Sequence, residues 1–263
     1  MAGSVDLHHD ADATIARVVL AHPGKHNAID IAMWRALRAT FERLQQLPAS
    51  AAPHAVIVSG ADGQFASGGD IAEFVSFRFD ERTLRDFHEE VVAPALHALL
   101  DCDIPLLAQI DGACIGGGLE IAACCDIRVC GENSRFGAPI AKLGFPMAPA
   151  ELALVARIVN PAVLREMLLE ARLVDGERAW QLGLVHEVVP DVDVAATTQS
   201  RAEQIARWSA PAARLNKRAL RQLAAGGPSA AERQAHFAYA DSAGHREGVT
   251  AFIEKRPPRF QRG

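Results

Sequence analysis

Four short apolar runs, separated by segments with helical periodicity, dominate the first half of the chain. They read TIARVVL (14–20), HAVIVSG (54–60), PLLAQID (105–111) and DIRVCG (126–131). Runs of this length, rich in β-branched and other apolar residues and bounded by glycine, proline and polar residues, are typical of strands. Strands that alternate with helices need crossover connections, which favour a mainly parallel sheet. The pattern therefore predicts an α/β fold.

The segments between these runs predict helices. Asp30 is expected to cap the first helix, whose apolar residues recur at three- and four-residue spacing: Ile31, Trp34, Leu37, Phe41 and Leu44. Residues 81–101 predict another helix, which we expect Pro94 to kink. From Pro149 onward the pattern is mostly helical, and residues 229–232, SAAE, have the form of a capping box. We expect an α/β core over residues 1–195 and a helical region over 196–263 that acts as a lid or an oligomerisation layer.

Charge, cysteine usage and hydropathy exclude several classes of protein. The net charge of −5 argues against a general nucleic-acid binder. The five cysteines are odd in number and mostly lie in apolar runs, so we expect reduced core cysteines of a cytoplasmic protein and no zinc site. No apolar run is long enough to span a bilayer, and the N-terminus lacks the order of a signal peptide. His8, His9, Asp10 and Asp12 are expected in a frayed polar terminus rather than a metal site.

The stretch DGACIGGGLEIAACCD, Asp111 to Asp126, places three glycines between a strand-like and a helix-like run. It lacks the spacing of a dinucleotide-binding turn, the G-K-[ST] of a P-loop and the G-x-S-x-G of a serine hydrolase. One interpretation is structural, because glycines permit a tight strand-to-helix turn with close packing.

The other interpretation of this turn is catalytic. A helix that begins at Gly117 or Gly118 leaves free backbone N–H groups there, and these suit a developing oxyanion. Glu120 would lie beside that oxygen and could move a proton. A second glycine turn, FASGGD (65–70), could supply another N–H group, from Gly69.

With these segments the chain resembles the crotonase (enoyl-CoA hydratase/isomerase) superfamily over nearly its whole length. HPGKHNAID is similar to the family's N-terminal loop beside CoA, FASGGDIAEF to its first oxyanion segment, and DGACIGGGLEIAACCDIRV to its second. SRFGAPIAKLG, LVDGERAWQLGLVHEVVP and AFIEKRPPRF follow in family order. The resemblance implies a superhelix of ββα turns with a C-terminal helical trimerisation region, hence a homotrimer or homohexamer.

The resemblance also implies a function. The substrate would be an acyl-CoA or enoyl-CoA thioester, with no separate cofactor because CoA is part of the substrate. The thioester oxygen would be held by the N–H groups of Gly69 and Gly117, and Glu120 matches the family's first catalytic glutamate. Seven residues are implied to contact CoA: Lys25, Ala28, Ser67, Asp70, Ile71, Lys255 and Arg256. Of these, Asp70 is expected to act mainly as a helix cap.

The chain departs from the family at one position that matters for the reaction. Family hydratases carry a second glutamate in the segment matching FGAPIAKLG, where this chain has Ile140. The nearest substitute is Glu151, at the start of the next predicted helix, although a partner for that helix's dipole is the simpler interpretation. His88 and His97 could approach the acyl pocket but are expected in the core or on the surface.

We therefore expect an enoyl-CoA hydratase. Alternatives are an enoyl-CoA isomerase, other one-glutamate chemistry such as decarboxylation or thioester hydrolysis, and an acyl-CoA-binding protein without catalysis. The residues around Phe74 to Glu90 and Phe145 to Met147 are expected to form the walls of the acyl pocket.

Overall fold

The computed structural model describes residues 2–260 as two sheets surrounded by helices. The strands are β1 (Ser4–His9), β2 (Ile15–Ala21), β3 (Ala55–Gly60), β4 (Leu106–Ile110), β5 (Ala113–Ile115), β6 (Ile127–Gly131), β7 (Arg135–Gly137), β8 (Val174–Asp175) and β9 (Glu187–Val189). The helices are α1 (Ile31–Gln46), α2 (Ile71–Phe74), α3 (Glu81–Asp86), α4 (Ala93–Asp101), α5 (Gly117–Cys124), α6 (Pro149–Val155), α7 (Pro161–Leu169), α8 (Gly176–Gln181), α9 (Val194–Ala206), α10 (Ala210–Ala224), α11 (Ala230–Ala235) and α12 (Ala243–Ile253).

The larger sheet has six strands in the order β1-β2-β3-β4-β6-β9. All neighbouring pairs from β2 to β9 are parallel, and only β1 runs antiparallel to its neighbour. This confirms the α/β class and the parallel sheet that the alternation of the sequence predicts. A second sheet, β5-β7-β8, stands apart and is too short in each strand to be read from periodicity.

Strand β1 corrects the expectation of a frayed terminus. Residues 4–9 pair with β2 along their whole length, and His8 and His9 lie opposite Arg17 and Ala16. The strand is polar and largely exposed because it forms the edge of the sheet, so it lacks the apolar signal of the buried strands.

Helix α1 forms as its sequence predicts and builds one wall of the core. The Asp30 side chain accepts a hydrogen bond from Met33 N, at 2.7 Å. The helix buries Trp34, Leu37 and Phe41 against the sheet. The predicted capping box at Ser229 and Glu232 is also present, at the start of α11.

Residues 81–101 are helical throughout, but the predicted kink takes the form of a π-helical stretch. It spans Phe87–Val92, between α3 and α4, and ends two residues before Pro94. Proline has no N–H group to donate within a helix, and a wider turn accommodates its ring. The stretch also turns His88 toward the interior, where the candidate site lies.

Helix α9 covers the opposite face of the large sheet, where Ala202 packs with Ile57 and Leu107. It therefore belongs to the layers around the sheet, whereas α10 to α12 follow it as a helical C-terminal region. The proposed division near residue 195 stays a prediction.

All five cysteines are buried and unpaired, as expected for core residues: Cys102, Cys114, Cys124, Cys125 and Cys130. Within residues 2–260, none of the helices combines the length and the apolar character needed to cross a membrane.

Candidate active site

A cavity of about 250 Å³ opens where the two glycine turns meet. Its walls come from these turns, the first turn of α5, the π-helical stretch, the 3₁₀ turn Pro139–Leu143 and the start of α6. Most of the lining is apolar, with a few charged side chains. A largely apolar pocket with a few convergent polar groups is the usual form of a small-molecule site.

Backbone hydrogen bonds tie the two glycine turns together. Ala66 N donates to Ala113 O at 2.8 Å, and Ile115 N donates to Ala66 O at 3.0 Å. A Cβ atom at Gly118 would lie 2.6 Å from the carbonyl oxygen of Ala66. The turns approach so closely that no side chain fits between them, which explains one of the three consecutive glycines.

The amides of Gly69 and Gly117 both border the cavity. Ile29 N donates to Gly68 O at 2.7 Å and Asp70 N donates to Ile29 O at 2.9 Å, so Gly69 N points away from this bridge. Gly117 is the first residue of α5, where backbone N–H groups lack helical acceptors. Within residues 2–260 neither amide donates a hydrogen bond, so both N–H groups are free to bind a ligand.

Glu120 lies in the first turn of α5, lines the cavity and is 9% exposed. Burial, and after it the nearby Glu151, raises the pKa of its carboxyl group to about 8, while Arg78 opposes the shift. Burial disfavours the charged carboxylate because its hydration is lost. At neutral pH Glu120 therefore holds a proton beside the two amides.

Glu151 and His88 form a polar pair on another part of the wall. Glu151 is 1% exposed, and its Oε1 lies 2.9 Å from His88 Nδ1. Its Oε2 is buried without a hydrogen-bond partner in residues 2–260. The structure thus brings Glu151 to the cavity wall, and its position in the first turn of α6 also agrees with the simpler interpretation as a partner for that helix's dipole. A buried, half-satisfied carboxylate can hold a water molecule or take a proton.

His88 and His97 lie in different environments. His88 lines the cavity, which corrects its expected placement in the core or on the surface. The π-helical turn that orients it could not be read from spacing. His97 is exposed and does not line this cavity, in line with the expectation.

Ile140 lines the cavity from the 3₁₀ turn Pro139–Leu143. The position where the resembling hydratases carry a second glutamate is therefore apolar in this site. Any second proton-carrying group must come from elsewhere on the wall.

Arg78 is a residue of the site that the sequence does not reveal. Its guanidinium carbon lies 4.2 Å from the centre of the Phe74 ring and 3.7 Å from that of Phe145. Burial lowers the pKa of Arg78, which the charges of Glu120 and Glu151 oppose. Its only signal is membership of the segment expected to form the acyl pocket, which Phe74, Phe145 and Met147 line as predicted.

The residues expected to contact CoA fall into two groups. Ser67 and Ile71 border the cavity, and Lys25 stands near it with its Nζ 2.5 Å from Asp70 Oδ2. Asp70 also caps α2 by accepting from Ala72 N, which confirms its structural role. Ala28 is buried, and its carbonyl oxygen lies 2.7 Å from His22 Nδ1.

Lys255 and Arg256 do not line the cavity of their own chain. The Arg256 guanidinium lies between two carboxylates, 2.7 Å from Glu247 Oε1 and 2.6 Å from Glu254 Oε2, while Lys255 is exposed. A role of these seven residues in binding CoA stays a prediction.

The sequence and the structure of the chain both match one family of known proteins. A profile of the enoyl-CoA hydratase/isomerase family matches residues 10–263. A probable enoyl-CoA hydratase of Rhodobacter capsulatus is 30% identical over 97% of each chain. A putative enoyl-CoA hydratase of Thermus thermophilus is 31% identical over 94% of this chain and 97% of its own. A crystal structure of an enoyl-CoA hydratase/carnithine racemase from Magnetospirillum magneticum is 35% identical with a TM-score of 0.92, covering 99% of this chain and 97% of that one.

Proposed function

The chain belongs to the enoyl-CoA hydratase/isomerase (crotonase) family, and from this premise we propose that it is an enoyl-CoA hydratase. Membership makes it an enzyme that processes acyl-CoA thioesters. The observation that carries the specific proposal is the convergence of two free amides and the buried Glu120 on one cavity. A second polar pair, Glu151 with His88, supports hydration in particular.

The amides of Gly69 and Gly117 would bind the thioester oxygen. Two N–H donors aimed at one oxygen stabilise the negative charge that develops there as the thioester becomes enolate-like. The α-carbon of the acyl group then accepts or releases a proton easily, and the β-carbon becomes open to attack by water. Backbone N–H groups would thus supply the activation of the thioester.

Glu120 would supply the proton. Since its pKa is raised to about 8, it is mostly protonated at neutral pH and can donate to the α-carbon. Hydration also needs a group that takes a proton from water while the water oxygen bonds to the β-carbon. Ile140 cannot do this, and Glu151 is the remaining carboxylate on the wall.

In this scheme Glu151 holds and deprotonates the water, and His88 fixes the orientation of the carboxylate through its Nδ1. The unpartnered Oε2 is the oxygen left to accept from water. One proton leaves the water for Glu151, and one leaves Glu120 for the α-carbon, so the acyl chain gains one water molecule in total. Glu151 then releases its proton and Glu120 takes one up from solvent, which restores the starting state.

Replacing Glu151 with glutamine tests this role. We expect Glu151→Gln to slow hydration of a 2-enoyl-CoA about a hundredfold, because positioned general bases contribute on this order. Conversion of a 3-enoyl-CoA to its 2-enoyl isomer needs no water and should change much less. Steady-state rates for both substrates measure the difference.

The matched control is Glu177→Gln, which changes an exposed glutamate that likewise lies in the first turn of its helix, α8. It should alter neither rate. Equal loss of both reactions in Glu151→Gln would assign Glu151 to the structure of the site, and intact hydration would remove it from the mechanism.

Adding a methyl group at Gly117 tests the amide donors. A Cβ atom there would lie 2.9 Å from Cζ2 of the buried Trp34, so the first turn of α5 must shift. We expect Gly117→Ala to lower kcat/KM about a hundredfold, because the shift would move this N–H group away from the thioester oxygen and loss of one oxyanion donor has effects of this size. The control is Gly248→Ala in α12, where the nearest atom to the added Cβ is at an ordinary 3.6 Å. A folded Gly117→Ala protein with normal turnover would exclude this amide.

An isomerase is the second candidate, favoured by the apolar Ile140 at the wall. A single carboxylate can take a proton from one carbon of the acyl chain and return it to another. Product analysis by mass spectrometry, with 2-enoyl- and 3-enoyl-CoAs in heavy-oxygen water, separates the two. Labelled 3-hydroxyacyl-CoA indicates a hydratase, an unlabelled shift of the double bond an isomerase, and no product with any thioester a binding protein.

We also propose that the chain assembles as a homotrimer or homohexamer. Helices α10 and α12 expose several large apolar side chains that a neighbouring copy could cover: Leu220, Leu223, Val249, Phe252 and Ile253. In such an assembly Lys255 and Arg256 could reach a neighbour's CoA. Light scattering of the purified protein measures the mass of the assembly.

A further inference from the structure

Arg78 brings a positive charge into a cavity whose proposed chemistry does not use it. It is the only arginine or lysine among the described residues that line this cavity. Its side chain is half-buried, and a cation that loses part of its hydration is usually compensated by a carboxylate partner. The absence of one here calls for a ligand.

The guanidinium has no polar partner within residues 2–260. It lies beyond 4.0 Å from every carboxylate oxygen there and donates no hydrogen bond. Its Nε is buried without a partner, whereas its terminal nitrogens are not among the buried unpartnered atoms of residues 2–260 and so keep accessible surface. The fork of donors is thus open at its outer end.

Two aromatic rings hold this fork in place. Phe74 and Phe145 lie edge to face, with ring centres 5.9 Å apart, and both contact the guanidinium carbon. Stacking of this kind stabilises a cation and fixes the plane of its donors without using them. The arginine is therefore oriented in advance for a planar, bidentate acceptor such as a carboxylate.

The charge lies at the reacting end of the cavity. Arg78 interacts electrostatically with both Glu120 and Glu151, the groups proposed to handle protons. The phosphates of CoA are separated from the thioester by the whole pantetheine arm, so a cation beside Glu120 faces the acyl group. Glu120 is mostly protonated at neutral pH, and Glu151 is paired with His88 and forms no ion pair with Arg78 within residues 2–260.

We propose that Arg78 binds a carboxylate at the far end of the acyl chain, so that the preferred substrate is the mono-CoA thioester of an unsaturated dicarboxylic acid. This rests on the proposed function of the same site. The apolar walls contact the methylene groups, the two glycine amides hold the thioester oxygen, and the guanidinium pairs with the terminal carboxylate. Desolvated pairs of this kind discriminate strongly, because a methyl group leaves the donors unsatisfied.

The test compares two thioesters of equal chain length, trans-2-hexenedioyl-CoA and trans-2-hexenoyl-CoA. We expect the protein to favour the first in kcat/KM, and Arg78→Met to lower that ratio about 10- to 100-fold, the range for a charged hydrogen bond. Using the ratio cancels any general effect of the variant on Glu120. Arg85→Met, which alters an exposed arginine of α3 outside the cavity, should leave the ratio unchanged.

Arg78→Lys keeps the charge without the fork and should retain part of the preference, which guards against a Met variant that folds poorly. An unchanged ratio in a folded Arg78→Met protein would overturn the proposal. So would an equal rise in KM for both thioesters with weaker binding of free CoA, since Arg78 would then contact CoA itself. If the unmodified protein turns over neither thioester, or if its turnover does not depend on Glu120, the proposed function is refuted instead.

Discussion

Glu120→Gln is expected to lower kcat/KM for a 2-enoyl-CoA by about a thousandfold, the middle of the range for a positioned acid or base. Glutamine matches the shape of the carboxyl group but can neither donate nor take the proton at the α-carbon. The amides of Gly69 and Gly117 would remain, so binding of the thioester should persist. Stopped assays analysed by mass spectrometry measure turnover, and calorimetry with a saturated acyl-CoA measures binding.

This variant tests whether Glu120 carries the proton in both reactions. Hydration and isomerisation both need Glu120 in the proposed mechanism, so both should fall together, in contrast to Glu151→Gln. If Glu120→Gln keeps normal turnover, the assignment of the proton to Glu120 is wrong. The pH profile adds a direction: a step that needs protonated Glu120 slows as pH rises through about 8, and a step that needs its carboxylate speeds up there.

The same substitution is expected to stabilise the fold by about 3 kcal/mol at pH 7, at about 1.4 kcal/mol per pKa unit. In the folded chain Glu120 keeps its proton up to about pH 8, whereas in the unfolded chain it releases it above its ordinary value of 4.5. The unfolded state therefore binds fewer protons between these values, and the contribution of Glu120 to stability falls as pH rises. Glutamine does not titrate, so the variant does not lose this part of the free energy of unfolding as pH rises.

Unfolding by urea at several pH values measures the difference between the two proteins. It should be small near pH 4.5, grow through pH 7 and level off above pH 8. Subtracting one protein from the other cancels every other titrating group, and the point near pH 4.5 serves as an internal control. A difference that is independent of pH would mean that burial does not raise the pKa of Glu120 in this way.

Local sequence patterns predicted the parts of this fold that local physics decides. The parallel strands are buried on both faces, so their composition is unmistakable, and Asp30 caps α1 because a short acceptor stands directly before the apolar stripe. The start of α5 at Gly117 follows in the same way from its glycines. Strand β1 was not predicted, because an exposed strand at the edge of a sheet needs no apolar residues.

The polar groups of the site were harder to predict, because packing places them. His88 reaches the cavity through a π-helical turn that no residue spacing marks, and its contact with Glu151 joins positions 63 residues apart. Arg78 is held by two phenylalanines from different segments. Only the family resemblance pointed to Ile140 as a departure, and only the structure shows which side chains surround it.

The backbone bonds between the two glycine turns have a consequence for how such a protein can change. They join Ala66 to Ala113 and Ile115, while Arg78 and Phe145 lie on segments outside this ladder. Substitutions in those segments can remodel the acyl wall and leave the spacing of the two amides intact. Under the proposed function, the scaffold thus divides into a bonded part that would activate the thioester and an exchangeable part that would select the acyl group, so a change of substrate would not require a new oxyanion site.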